Sequence, residues 1–162
     1  SSTFDFILMN TTWHWRNYIS NLLSSDFLNI IRHHLTPTGA LYYNTTSSID
    51  ARYTASLVFP YSYTYQNFVI ASTIDIRQKI ESQDNYAILS RLNWPDNHKP
   101  VFSLNNPVEK QAIDEMLEMP LSNVDGLISA SKHAPFRPPE EITDVNMITE
   151  YRYGVDFWPS AN

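Results

Sequence analysis

Seven consecutive residues concentrate the polar chemistry of this chain. Asn10, Thr11, Thr12, Trp13, His14, Trp15 and Arg16 follow directly on the apolar run Phe6-Ile7-Leu8-Met9. Among them His14 is the natural proton acceptor, because an unperturbed imidazole titrates near neutrality. Trp13 and Trp15 can wall an amine by cation–π contact. Arg16 can hold a carboxylate or phosphate, or pair with a surface acid such as Asp26. Each group also has a plainer reading: the indoles can cover a sheet edge, and Asn10 can cap backbone groups. A second polar set, Asn44, Thr45 and Thr46, ends the next apolar segment. It either faces the same crevice or caps the helix that follows.

The elements that must position these groups can be read from periodicity. Phe6 to Met9 has the pattern of a strand covered on both faces in a parallel sheet. Residues 10 to 23 read as a loop. Ser24 or Ser25 caps a helix, with Asp26 near its positive end. Phe27, Leu28, Ile31 and Leu35 share one face of it, and Thr36-Pro37-Thr38-Gly39 stops it. Ala40 to Asn44 is the next strand, which gives strand, helix, turn, strand, the signature of a βαβ crossover. The sets at 10–16 and 44–50 therefore lie outside the carboxyl ends of two parallel strands, where open α/β sheets bind ligands. A helix from Ile49 to Val58, a period-two strand through Tyr61, Tyr63 and Tyr65, and a strand Phe68–Ser72 follow. The last two form an antiparallel edge hairpin. Asp75 to Arg91 is helical in part, and 93–106 is loop. Asn106-Pro107-Val108-Glu109 opens another helix. Residues 133–141 read as a semi-extended linker and 142–157 as a mixed tail.

Bulk composition narrows the function classes. Apolar residues make up 43% and charged residues 17%, the balance of a folded chain. The net charge of −6, with no basic stripe, argues against a nucleic-acid partner. The absence of cysteine excludes disulfides, thiolate metal sites and a cysteine nucleophile. His33 and His34 are adjacent and point to different sides of a helix, and no two ligands sit at metal spacing, so no metal is expected. No run of about 18 apolar residues occurs, so no membrane span is expected in this chain, and no charged leader precedes an apolar stretch.

The segments FDFILMN, MNTTWHWR, NLLSSDFLNIIRHHLTPTGALYYNTT, FPYSYTYQNFVIAS and ITDVNMITEYR resemble the spermidine synthase family. They are most similar to a branch whose members are often fused to membrane transporter-like segments. The resemblance covers about residues 4–75 and again 142–152. It implies an α/β chain: the C-terminal half of a Rossmann-like methyltransferase fold, with parallel strands and an antiparallel edge hairpin, over residues 1–75. A helical, irregular extension, 76–162, would pack on it. The three glycines, at 39, 126 and 154, make no Gly-rich nucleoside loop. The resemblance thus implies a fragment whose first three βα units lie elsewhere. S-adenosylmethionine or its decarboxylated form would be held only by that half, and none by this chain.

Aminopropyl transfer requires an acceptor amine to lose a proton before its lone pair attacks the carbon beside sulfur. By the resemblance, the loop after the strand at 4–9 carries the base. The family has Asp there, where this sequence has Asn10. A neutral amide cannot take the proton, which removes on the order of 10²–10⁴-fold in rate, and His14 is the substitute base. Thr11, Thr12, Trp13, Trp15, Arg16, Asn44, Thr45, Asp144 and Glu150 complete the implied acceptor side. Asp144 and Glu150 are read equally well as surface acids pairing with Arg152. Asn10 and Trp13 also resemble the Asn-x-x-aromatic motif of amino-methyltransferases, without its prolines. The readings are therefore a spermidine synthase-like transferase, an inactive ligand-binding or scaffold domain attached to a membrane protein, and an amino-methyltransferase. The implied partners are a small amine or adenosyl thioether and, for a half-fold with an open edge, a second copy of the chain. The implied compartment is the cytoplasm.

Overall fold

The computed structural model describes residues 2–10, 19–81, 84–118, 121–125 and 138–146. The chain is mixed α/β and divides into two compact units. The first comprises residues 1–75 with the described parts of 121–162, and the second comprises 76–120.

Five strands build the sheet of the first unit in the order β1-β2-β4-β3-β5. They are β1 (Phe4–Met9), β2 (Leu35–Asn44), β3 (Tyr61–Tyr65), β4 (Phe68–Ser72) and β5 (Ser122–Asn123). β1 and β2 are parallel, with Leu8 beside Tyr42 and Met9 beside Tyr43. β4 runs antiparallel to both β2 and β3, so the hairpin folds back and inserts its second strand next to β2. Between β1 and β2 lie α1 (Ser20–Leu23) and α2 (Ser25–His34), and α3 (Ile49–Val58) follows β2.

The helix starts obey capping chemistry. Ser24 Oγ accepts from the Phe27 N–H at 3.1 Å, and Ser48 Oγ accepts from the Ala51 N–H at 3.3 Å. Ser48, rather than Asn44, Thr45 or Thr46, thus caps α3. At its other end α2 stops without a glycine cap, because Leu35 already has extended backbone. The segment Thr36–Gly39 belongs to β2 and carries an irregularity in register between Phe4 and Phe6. Gly39 is required there by contact: a Cβ would meet the Phe4 carbonyl oxygen at 2.8 Å and the Thr36 amide at 3.1 Å. Gly39→Ala is expected to cost about 1–3 kcal/mol, through displacement of β1. Urea denaturation checks this; a midpoint unchanged from wild type would mean that β1 yields freely.

One face of the sheet carries the core. Leu41, Tyr43, Val69 and Ala71 pack with Leu23, Leu28, Ala51, Ala55, Val58 and Phe59 from the helix layer and its ends. Ile7 and Met9 join from β1, partly buried. The opposite face is open at β1: Phe4, Phe6 and Leu8 are 51%, 57% and 58% exposed. The expectation of a strand covered on both faces is corrected here. β1 is the outermost strand of the described sheet, and among the described residues helices lie against only one of its faces. Phe6 continues as an aromatic strip through Tyr42, with centroids 6.5 Å apart, to Phe68 at 4.5 Å.

Described parts of the tail pack on the first unit. β5 pairs with β3, and Val124 and Ile142 are fully buried in the core of the first unit. Residues 138–146 form a strap over the amino-terminal turns of α2 and α3. The Ile142 N–H donates to Thr54 Oγ1 at 2.9 Å, and the Ser25 N–H donates to the Ile142 carbonyl at 2.8 Å. The Glu140 N–H donates to Asp50 Oδ1 at 2.8 Å. Residues 138–141 of the expected linker are therefore docked, while 133–137 lie outside the described residues.

The second unit holds α4 (Ile76–Glu81), α5 (Asn85–Leu89) and α6 (Pro107–Glu118). The Asn106 cap accepts from the Val108 N–H at 3.0 Å, and Glu109 accepts from the Ser103 N–H at 2.8 Å. Tyr86 and Lys110 converge on Asp114, at 2.5 and 2.6 Å. Lys110 and Tyr86 hold the Asp114 carboxyl below its ordinary range. All three groups face solvent, so the cluster adds little to stability.

Candidate functional site

The two strand tips meet. Asn10 follows β1 and Asn44 ends β2, and Asn44 Nδ2 donates to Asn10 Oδ1 at 3.3 Å. Asn44 Oδ1 in turn accepts from the Thr46 N–H at 2.7 Å, an Asx turn. That turn holds Thr46 and Ser47 at φ of 46° and 66°, a left-handed conformation costly for a β-branched residue.

The turn between β3 and β4 supports this loop. The Asn67 carbonyl accepts from the Thr45 N–H at 2.8 Å and from Thr45 Oγ1 at 2.9 Å. Asn67 Oδ1 accepts from Ser47 Oγ at 2.7 Å. Arg52, on α3, reaches the same turn, with Nη2 donating to the Gln66 carbonyl at 3.1 Å. Burial lowers the pKa of this guanidinium from its ordinary value. Asn67 and Arg52 are supports that sequence reasoning passed over. The signal for Asn67 was its place in a two-residue turn between strands. Arg52 gave none.

The candidate residues fare differently. Asn10 and Asn44 are brought together at the carboxyl edge of the sheet. Thr45 is fully buried and its hydroxyl donates to the Asn67 carbonyl. Asp144 lies at the start of α2, where Oδ1 accepts from Ser24 Oγ at 2.5 Å and its N–H donates to Asp26 Oδ2 at 3.0 Å. It anchors the strap. Thr11, Thr12, Trp13, His14, Trp15, Arg16 and Glu150 lie outside the described residues, as does Arg152.

A shallow cavity of about 360 Å³ sits at the opposite, amino end of β2. It is lined by Arg32, His33, Leu35, Thr36, Pro37 and Thr73. Arg32 is already engaged there, donating to the Val58 carbonyl at 2.9 Å. Open α/β sheets hold ligands at the carboxyl edge, where the tips of β1 and β2 stand, and not at the amino end.

Among the described residues no group of His, Asp and Glu could hold a metal ion, and no helix is long and apolar enough to cross a membrane. Compared with known proteins, the chain matches no family model and no curated protein.

Proposed function

We propose that this chain is the acceptor-side part of a Rossmann-like, spermidine synthase-like domain, and that its ligand crevice is the paired tip of β1 and β2. The observation that carries this reading is the 3.3 Å contact between Asn44 and Asn10, which joins the two carboxyl ends into one locus. Two further features support it. The parallel β1–β2 pair is followed by an antiparallel hairpin, the arrangement that the resemblance implies for the end of that fold. The open apolar face of β1 is what a parallel sheet ordinarily covers, so further βα structure beside β1 would complete it.

Within this reading Asn10 is not the general base of an aminopropyl transfer. A general base must accept a proton through a basic atom within hydrogen-bond reach of the amine. The Asn10 carboxamide has no such basicity, and its oxygen is already turned toward Asn44.

Amide-detected NMR tests the location. A panel of small amines, amino acids and adenosyl thioethers is titrated into the ¹⁵N-labelled protein. The compounds that bind are expected to shift the amides of residues 10 and 44–48. Shifts gathered instead around Arg32, Thr36 and Thr73, or no saturable shift from any compound, would remove the crevice reading.

A further inference from the structure

We propose that Asn44 fixes the polarity of Asn10, so that the tip offers an outward N–H donor and selects a ligand with an acceptor oxygen, a carboxylate or carbonyl, over an alkylammonium. This rests on the reading that the paired tips are the ligand site.

The argument begins at a group that cannot be reversed. A backbone N–H can only donate, so the atom of Asn44 that lies 2.7 Å from the Thr46 nitrogen is its oxygen. The other terminal atom of Asn44 is therefore the NH₂ group, and it faces Asn10 at 3.3 Å. An NH₂ group donates, so Asn10 must turn its oxygen inward to meet it. The remaining terminal group of Asn10, its own NH₂, then points away from the pair at an exposed position. One main-chain hydrogen thus sets the orientation of two side chains in series.

The consequence is an inversion of chemistry. A carboxylate at position 10 would show an ammonium ligand an acceptor and a negative charge. The carboxamide, held this way round, shows a donor and no charge. The acids at this edge are engaged with neighbouring donors: Asp50 Oδ1 with the Glu140 N–H, Asp26 Oδ2 with the Asp144 N–H, and Asp144 Oδ1 with Ser24 Oγ. Arg52 donates to the Gln66 carbonyl in the turn that supports Thr45 and Ser47.

The series can be broken at Asn44 without touching residue 10. In Asn44→Asp, one carboxylate oxygen still accepts from the Thr46 N–H, which keeps the Asx turn. The other oxygen now faces Asn10, which must rotate its amide to donate. Its oxygen then points outward.

The readout is the side-chain ¹⁵N–¹H₂ signal of Asn10, titrated separately with acetate, N,N-dimethylacetamide and 1,4-diaminobutane. In the wild-type protein a saturable shift is expected from an acceptor probe, with an apparent Kd at least about tenfold lower than for the diamine, a difference of about 1.4 kcal/mol. Response to acetate alone assigns a carboxylate ligand, and response to dimethylacetamide assigns a carbonyl. In Asn44→Asp the order reverses and the diamine becomes the tighter probe. A purely structural role for Asn44 would leave the order unchanged. Tighter binding of the diamine to the wild type, no saturable shift from any probe, or an unchanged order in the variant each overturns the proposal. A wrong order of probes with shifts still falling on residues 10 and 44–48 sinks this proposal and leaves the crevice reading standing, whereas no shift from any probe removes both.

Discussion

Replacing Ile142 by alanine is expected to destabilise the first unit by about 2–5 kcal/mol, the range for truncating a fully buried aliphatic side chain. Ile142 is far from the other core residues in sequence, yet no part of it is exposed and it packs among Leu23, Leu28, Ala51 and Ala55. Its backbone also joins both helices, donating to Thr54 Oγ1 and accepting from the Ser25 N–H. Loss of the side chain leaves residues 138–146 to hydrogen bonds, those of Ile142 with those of Glu140 and Asp144, and each contributes only about 1 kcal/mol net. The strap should therefore open before the sheet does. Val145, 94% exposed, is the matched control, and Val145→Ala should stay within about 0.5 kcal/mol of wild type. Urea denaturation gives the first quantity, and hydrogen exchange at the Ser25 and Ile142 amides gives the second. Equal midpoints for the two variants would show that the strap is not part of the core.

Tyr43→Ala should be as severe, at about 3–5 kcal/mol, and Tyr43→Phe separates its two contributions. The ring is fully buried on β2, and its hydroxyl donates to the Ala51 carbonyl at 3.1 Å. Phenylalanine keeps the ring and removes that bond, for about 1 kcal/mol. The pH dependence has a definite sign. Burial raises the folded pKa of this phenol well above its ordinary value, partly offset by the Arg52 charge. The unfolded phenol titrates near 10. Stability is therefore complete below pH 10 and falls as the pH rises toward the folded pKa, because only the unfolded chain releases the proton. The fall from this group is about 1.4 kcal/mol per pH unit. Denaturation midpoints between pH 9 and 11 should decline less steeply in Tyr43→Phe than in wild type. Parallel declines would assign the alkaline loss to other tyrosines, such as Tyr42, whose pKa is also raised by burial.

Much of the fold was legible because its causes are local. The caps at Ser24 and Asn106 are short-range hydrogen bonds between a side chain and the next turn, so residue type and spacing announce them. The alternation in β2 and the pairing of β3 with β4 follow from a side-chain period of two and a tight turn. The neighbouring of 10 and 44 follows from parallel pairing alone: two strands that start together end together.

The tertiary structure decided what local pattern leaves open. FDFILM is apolar on both sides of the strand, so its letters do not tell that Phe6 and Leu8 face outward while Ile7 and Met9 face the core. Residues 138–146 carry no strong periodicity, and what draws them onto the helices is the burial of Ile142 with acceptors distant in sequence, at Asp26, Asp50 and Thr54. Thr45 has the same hydroxyl whether it meets a ligand or Asn67, and burial chose Asn67. The sequence by itself determined that two amides would stand at one sheet edge. Which way Asn10 points was settled by the Thr46 N–H acting through Asn44, because a carboxamide carries a donor and an acceptor of nearly equal size and only its partners distinguish them.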